Sequence, residues 1–298
     1  MAFIMSASHS GSTLLAMLLG AHPEATTIGD TAGTPCRKDP QYRCSCGRLA
    51  RECPFWARVV REMSNRGFDC GVGDFGTRFE YPEGRFLDRV LGAEHRGPVF
   101  EAVRDAFLAI SPRWRRRSLE IARRNVALAE AVTETAGADV LVDSSKQPHR
   151  LKLLLRIPEL RVKVIHLVRD GRGVAHTYIR DNGWTVGKAA VEWRRSILAA
   201  QKLLARLHRS DWTQVLYEDL CAGPRGVLED LCGFLGLDPA RAVLDFRSAG
   251  LHVFGNRMRL SEERGVRLDD AWKWELTAAS LARFEAIAGR LNRRYGYR

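Results

Sequence analysis

Apolar residues in this chain gather in short continuous runs that stop at small or polar residues, after which a helical apolar spacing resumes. The first run, Phe3-Ile4-Met5, breaks at Ser6-Ala7-Ser8-His9-Ser10-Gly11-Ser12-Thr13, and helix formers take over from Leu14 to Leu19. Apolar runs bounded by turn residues read as buried strands. The same order returns at Thr26–Ile28, at Ala138–Val142 ahead of Asp143-Ser144-Ser145-Lys146, at Arg161–Val168 and at Trp212–Tyr217. Helices are expected from Pro54 to Met63, over Arg85–Gly92, Pro98–Ile110, Ser118–Thr135, Gln147–Leu155, Val186–Leu207 and Pro224–Leu235, and after Gly173. A last helix, Asp270–Tyr297, spaces Trp272, Trp274, Leu281, Phe284, Ile287 and Leu291 for one buried face. Strands alternating with helices predict an α/β fold with a central parallel sheet flanked by helices. We read residues 1–298 as one domain, with residues 33–117 a Cys-rich and helical insertion on the acceptor side.

Composition narrows the function classes. The 298 residues are long enough for one large core, and no apolar run approaches the length of a membrane span. No basic region precedes the first apolar run, so we expect no signal peptide and a cytoplasmic location. Lys+Arg 47 against Asp+Glu 35 gives +12, which favours anionic partners without choosing among them. The basic run Arg113, Arg115, Arg116 and Arg117 around Trp114 lacks repeated aromatic platforms, so a solvated helix start is preferred to a nucleic-acid site.

The chemistry concentrates at strand ends. A strand, a small-residue turn and a helix start cradle an anion with backbone N–H groups, and Ser12 or Thr13 adds a hydroxyl. The Lys of a Walker loop is absent, which weakens a kinase reading. Gly29-Asp30 emerges at the carboxyl end of the second strand, where ligands gather in open sheets. A carboxylate beside an anion is costly there, which favours a functional role over a helix cap. Lys146 and Arg169 follow later strands; Arg169 offers a bidentate clamp for a phosphate, with Thr177 eight residues on and Asp170 placed to cap the helix.

Cys36, Cys44, Cys46 and Cys53 lie within 18 residues. Their spacing departs from paired CxxC knuckles, so a packed Cys-rich loop or one disulfide is preferred to a structural zinc held by four thiolates. The odd total of seven Cys suits a reducing compartment.

SHSGSTLL followed by HPE and IGD resembles the 5′-phosphosulfate-binding region of the sulfotransferase family, and LVRDGRGVAHT resembles its 3′-phosphate-binding region. The resemblance continues through VDSSK, LYEDL, GFLGLD and HVFGNRMR to the tryptophan-bearing end, and CSCG…ECPFW is similar to an insertion of a bacterial branch. It implies a P-loop-like three-layer fold and 3′-phosphoadenosine 5′-phosphosulfate (PAPS) as donor. Ser8, His9, Ser10, Gly11, Ser12 and Thr13 would line the 5′-phosphate, Arg169 and Thr177 the 3′-phosphate, and Asn256, Arg257 and Arg259 a loop over the nucleotide. Trp184 would pack near the adenine or the acceptor. Asp30 would be the catalytic base, where relatives often carry Glu, and His9 stands where the family has Lys or Arg. His9 and Lys146 would therefore share the stabilisation of the leaving group, with His22 and His176 the replacement bases. The implied acceptor is a hydroxyl of a small molecule, carbohydrate or lipid.

Overall fold

Five strands pair in parallel in the order β2-β3-β1-β4-β5: β1 Ala2–Ser6, β2 Ala25–Gly29, β3 Val140–Lys146, β4 Lys163–Val168 and β5 Trp212–Leu216. The computed structural model describes residues 1–31, 36, 39–79, 98–255, 257–261 and 265–298. The helix expected over Arg85–Gly92 and the position of Asn256 fall outside them.

Side chains alternate across a strand, and β1 uses both faces. Ala2 and Ile4 join Val142, Ile165, Leu167 and Val215 against α1 (Ser12–Gly20). Phe3 and Met5 join Val164 on the opposite face, against Leu151, Leu154, Leu203 and Leu204. Those four leucines belong to helices that return the chain between strands. Each such side chain contributes about 1.5–3 kcal/mol when fully buried, so the double covering fixes which strand lies at the centre. α1 is buried along its whole length, which explains why its sequence is apolar on every side.

The remaining helices are α2 Pro54–Asn65, α3 Pro98–Ile110, α4 Pro112–Ala136, α5 Pro148–Leu154, α6 Gly171–Asn182, α7 Val186–Leu204, α8 Tyr217–Ala222 and α9 Pro224–Leu235. α4 begins six residues before the expected Ser118. Ser111 accepts a hydrogen bond from the Trp114 N–H at 3.3 Å, with Pro112 at the first helical position, so Ser-Pro starts this helix rather than breaking one. The basic run thus forms the first turns of α4, and Arg117 pairs with Glu120 at 3.1 Å.

β3 also runs further than its apolar residues, because the polar Asp143-Ser144-Ser145 is itself buried and Lys146 pairs with Met5. The expected last helix is divided instead into Trp272–Glu275, Ala278–Phe284, a π-helical turn Glu285–Gly289 and Arg290–Arg294. Phe284 and Leu291 are buried as the spacing predicts, but Trp274 is 68% exposed. Among the described residues no helix is long and apolar enough to cross a membrane.

Candidate active site

All five strands point their carboxyl ends the same way, so the segments after β1, β2, β3 and β4 share one edge. The centre of that edge is the loop Ala7–Gly11 leading into α1. Gly11 has φ 87° and lies against the Tyr217 ring, where a Cβ would come within 2.6 Å of a ring carbon. Only glycine fits both demands. Ser12 and Thr13 are buried at the helix start, and the buried Ser10 hydroxyl has no protein partner. Ser8 is exposed beside Tyr178.

Two residues here take left-handed backbone without being glycine: His9 at φ 62° and Lys146 at φ 69°. They are the only such residues among those described. A one-residue turn, closed by Gln147 N–H on the Ser145 carbonyl at 2.9 Å, lifts Lys146 off the end of β3. Strain of this kind persists where surrounding contacts impose it and clusters at functional sites. The Lys146 ammonium has no carboxylate partner among the described residues. The His9 imidazole packs edge-on against Tyr178 at 4.5 Å, and Tyr178 stacks on Trp184. Burial pushes the His9 pKa down; nearby Asp181 and Asn182 oppose that shift, while Lys146 and Arg169 add to it.

Asp30 follows β2 and receives the Ser145 hydroxyl at 2.8 Å. Behind Ser145 lies Asp143, completely buried, which takes the Ser145 N–H at 2.8 Å, the hydroxyls of Ser145 and Thr31, and Arg150 Nε at 3.4 Å. Arg150 spends its other donors on the Thr77 carbonyl (2.8 Å), Thr31 Oγ1 (2.7 Å) and Asn125 Oδ1 (2.6 Å). Every partner needed by a buried charge is therefore present. Sequence reading missed this network. Its only signal was a polar Asp-Ser-Ser continuing an apolar strand.

Arg169 is buried after β4 and reaches the first loop directly, donating to the His9 carbonyl at 2.9 Å. It also donates to the Asp269 carbonyl at 2.6 Å and pairs with the Asp269 carboxylate at 3.1 Å. Asp170 caps α6 by accepting from Arg172 N–H at 2.9 Å. Thr177 lies on the next turns of α6, its hydroxyl bonded to the Gly173 carbonyl at 3.0 Å.

Arg259 is placed differently. Its guanidinium donates to the carbonyls of Gly255 (2.8 Å) and Arg43 (3.1 Å) and lies over the Tyr42 ring, so it holds the Gly255 loop from behind. Asn256 and the side chain of Arg257 are outside the described residues. His22 is committed to structure. Its Nδ1 accepts from Glu24 N–H at 3.1 Å, which leaves Nε2 to donate to the Asp238 carbonyl at 3.0 Å. His176 Nε2 is paired with Glu275 at 2.7 Å.

The cysteines divide unequally. Cys44, Cys46 and Cys53 come together with His252, which the sequence did not mark, while Cys36 turns away to the Val72 carbonyl at 3.7 Å. All seven cysteines are free thiols. A cavity of about 630 Å³ beside Trp114, Arg115 and Arg156 shares no residue with the sheet-edge site.

A family model described as "Sulfotransferase family" matches residues 72–241, more than half of the chain. No curated protein matches the chain in sequence. Two solved structures share its fold. One is a sulfotransferase domain from the curacin biosynthetic pathway, 19% identical over 97% of this chain and 96% of that one, with a TM-score of 0.53. The other is the sulfotransferase domain of the Synechococcus PCC 7002 olefin synthase, 22% identical over 100% of this chain and 94% of that one, with a TM-score of 0.50. With the matched family span carrying β3, β4 and the residues that follow them, this chain belongs to the sulfotransferase family.

Proposed function

We propose that the protein moves the sulfuryl group of PAPS to a hydroxyl of a small-molecule, carbohydrate or lipid acceptor, with Asp30 as base. The observation that carries this reading is the convergence, at one sheet edge, of an anion-cradling loop, a carboxylate and a lysine. Family membership favours sulfuryl over phosphoryl transfer, in keeping with the missing Walker lysine. Pairing of Arg117 with Glu120 on a helix start weakens a nucleic-acid reading of the basic run.

The acceptor oxygen attacks sulfur in line as the bond from sulfur to the bridging 5′-phosphate oxygen breaks. Asp30 takes the hydroxyl proton, and Ser145 orients its carboxylate for that role. Charge growing on the leaving oxygen meets the N–H groups at the start of α1, the Ser10, Ser12 and Thr13 hydroxyls and the Lys146 ammonium. His9, with its pKa lowered by burial, donates a hydrogen bond more than a full charge. Products are the sulfate ester and 3′-phosphoadenosine 5′-phosphate (PAP), whose 3′-phosphate we assign to Arg169 and Thr177. In that step Arg169 exchanges its Asp269 pairing for the phosphate.

Calorimetric titration of wild type and Arg169→Ala with PAP, ATP and adenosine 5′-phosphate tests the donor. Binding of PAP that weakens on losing either the 3′-phosphate or Arg169 is expected. Equal or tighter binding of ATP would overturn the assignment.

A further inference from the structure

We infer that Cys44, Cys46, Cys53 and His252 form a tetrahedral zinc site that clasps the Cys-rich loop to the segment entering the donor side of the sheet edge. The four ligand atoms lie within 4.8 Å of one another. A tetrahedral zinc with bonds of about 2.3 Å to sulfur and about 2.0 Å to nitrogen spaces its ligands roughly 3.5–3.8 Å apart. Here Cys46 Sγ and Cys53 Sγ are separated by 3.8 Å, Cys44 Sγ and His252 Nδ1 by 3.5 Å, and Cys53 Sγ and His252 Nδ1 by 3.2 Å.

The surroundings suit thiolate ligands. Cys44-Ser45-Cys46-Gly47 is a tight turn closed by Gly47 N–H on the Cys44 carbonyl at 2.9 Å and Cys44 N–H on the Arg48 carbonyl at 2.9 Å. Cys53 is the residue before α2, so the first N–H groups of that helix, on Phe55 and Trp56, point at its sulfur. The Cys46 N–H points at Cys44. The fully buried Trp56 indole N–H, without an oxygen or nitrogen acceptor, also faces Cys44. His252 is held by stacking on Phe55 at 4.4 Å and 7°. Cys44 and Cys53 are buried whereas Cys46 is exposed, which gives an ion a way in. On binding, each thiol releases its proton to solvent and the neutral imidazole supplies a lone pair.

The position of His252 says what the metal is for. Next to it, Val253 N–H bonds Ser45 Oγ at 2.7 Å, Phe254 N–H bonds the Ile28 carbonyl at 2.8 Å, and Gly255 N–H bonds the Tyr42 hydroxyl at 3.0 Å. Phe254 bridges Gly29, one residue before Asp30; at Gly29, with φ 81°, an added Cβ would meet the Phe254 carbonyl oxygen at 1.9 Å. The site thus fixes a segment packed on the end of β2. No chemistry of group transfer passes through it.

The test is elemental analysis and cobalt(II) substitution of the full-length protein purified under reducing conditions with zinc supplied. Zinc equimolar with protein is expected, and cobalt in its place should show sulfur-to-metal charge transfer with the visible bands of a tetrahedral site. Cys46→Ser, at the exposed ligand, and His252→Ala should lose the metal and expose the chain near residue 252 to protease, while Cys36→Ser should keep both metal and protection. Metal-free wild type, a Cys46–Cys53 disulfide in the non-reduced mass, or metal lost in Cys36→Ser but kept in Cys46→Ser would overturn the assignment. Failure of donor binding with the metal retained would bear on the proposed activity and leave this site standing.

Discussion

The two flanks of the β1 loop are built in opposite ways. On the β2–β3 flank, Asp30 hangs from Ser145, and behind it Asp143 and Arg150 are buried with their hydrogen-bonding capacity spent on fixed groups of the sheet and α4. On the β4 flank, Arg169 is equally buried, yet its partners are the His9 carbonyl of one loop and Asp269 of another. A base must stand within hydrogen-bond reach of the proton it removes, which rewards rigidity. An anion clamp must trade an internal partner for a ligand, and a loop carboxylate is a partner that can be traded. The contrast suggests a preformed carboxylate and an exchangeable guanidinium.

The sharpest break comes at Asp30. Asp30→Asn keeps shape and the Ser145 contact but cannot accept a proton, so turnover should fall by about 10²–10⁴. PAP affinity, measured by calorimetry, should stay near wild type because the β4 flank is untouched. Retained turnover would move the base elsewhere, and His176 is the better remaining candidate because both nitrogens of His22 are engaged.

Arg150→Met removes one half of a buried ion pair and strands Asp143. A denaturant melt should show a loss of about 3–5 kcal/mol. Arg169→Ala, at similar burial, should lose less stability and more PAP affinity, because the Asp269 carboxylate it leaves is partly open to water. Equal losses from the two variants would erase the distinction between the flanks.

The cations of the central loop come next. Lys146→Ala should cost about 10²–10³ in turnover through lost stabilisation of the leaving group. His9→Ala should cost less near neutral pH, because burial lowers its pKa and leaves the ring uncharged. Groups facing His9 pull both ways: Asp181 and Asn182 favour its charged form, Lys146 and Arg169 disfavour it. A larger loss for His9→Ala in steady-state assays would mean that the bound donor protonates it.

Much of this arrangement was legible in one dimension. Strand, small-residue turn and helix at Phe3–Leu19 marked the centre of the sheet, because apolar runs and turn residues are local properties. Ser-Pro at 111–112 was local too, yet Pro starts helices as well as ending them, and the capping hydroxyl decides which. The supports of the site were not legible. Arg150 meets Thr31 and Asn125 across 119 and 25 residues, and His252 meets Cys53 across 199. An isolated His in a polar loop carries no spacing signal, so the sequence chose Cys36, the nearer thiol, for the metal set. Trp274 misled in the same way, because the spacing assumed one unbroken helix where the chain divides into several.

The smallest effect separates the flanks by pH. His166 lies mid-β4, paired with Met5 and almost fully buried, with Nε2 lacking a partner. Burial lowers its pKa from 6.5 to about 4. Between those values the unfolded chain binds a proton that the folded chain refuses. Stability is therefore fully present above the unfolded pKa and drains as pH falls towards about 4, by about 1.4 kcal/mol per pH unit. His149, at the start of α5, is also lowered to about 4, chiefly by burial and then by Arg104 and Lys152, and adds a like slope. His166→Phe should thus remove about half of the acid-side slope in melts taken from neutral pH down to pH ~5, while leaving PAP affinity at neutral pH unchanged. An unaltered slope would mean that His166 is protonated in the folded sheet. The acid sensitivity of the β4 flank would then lie with the Arg169–Asp269 pair at the loop edge.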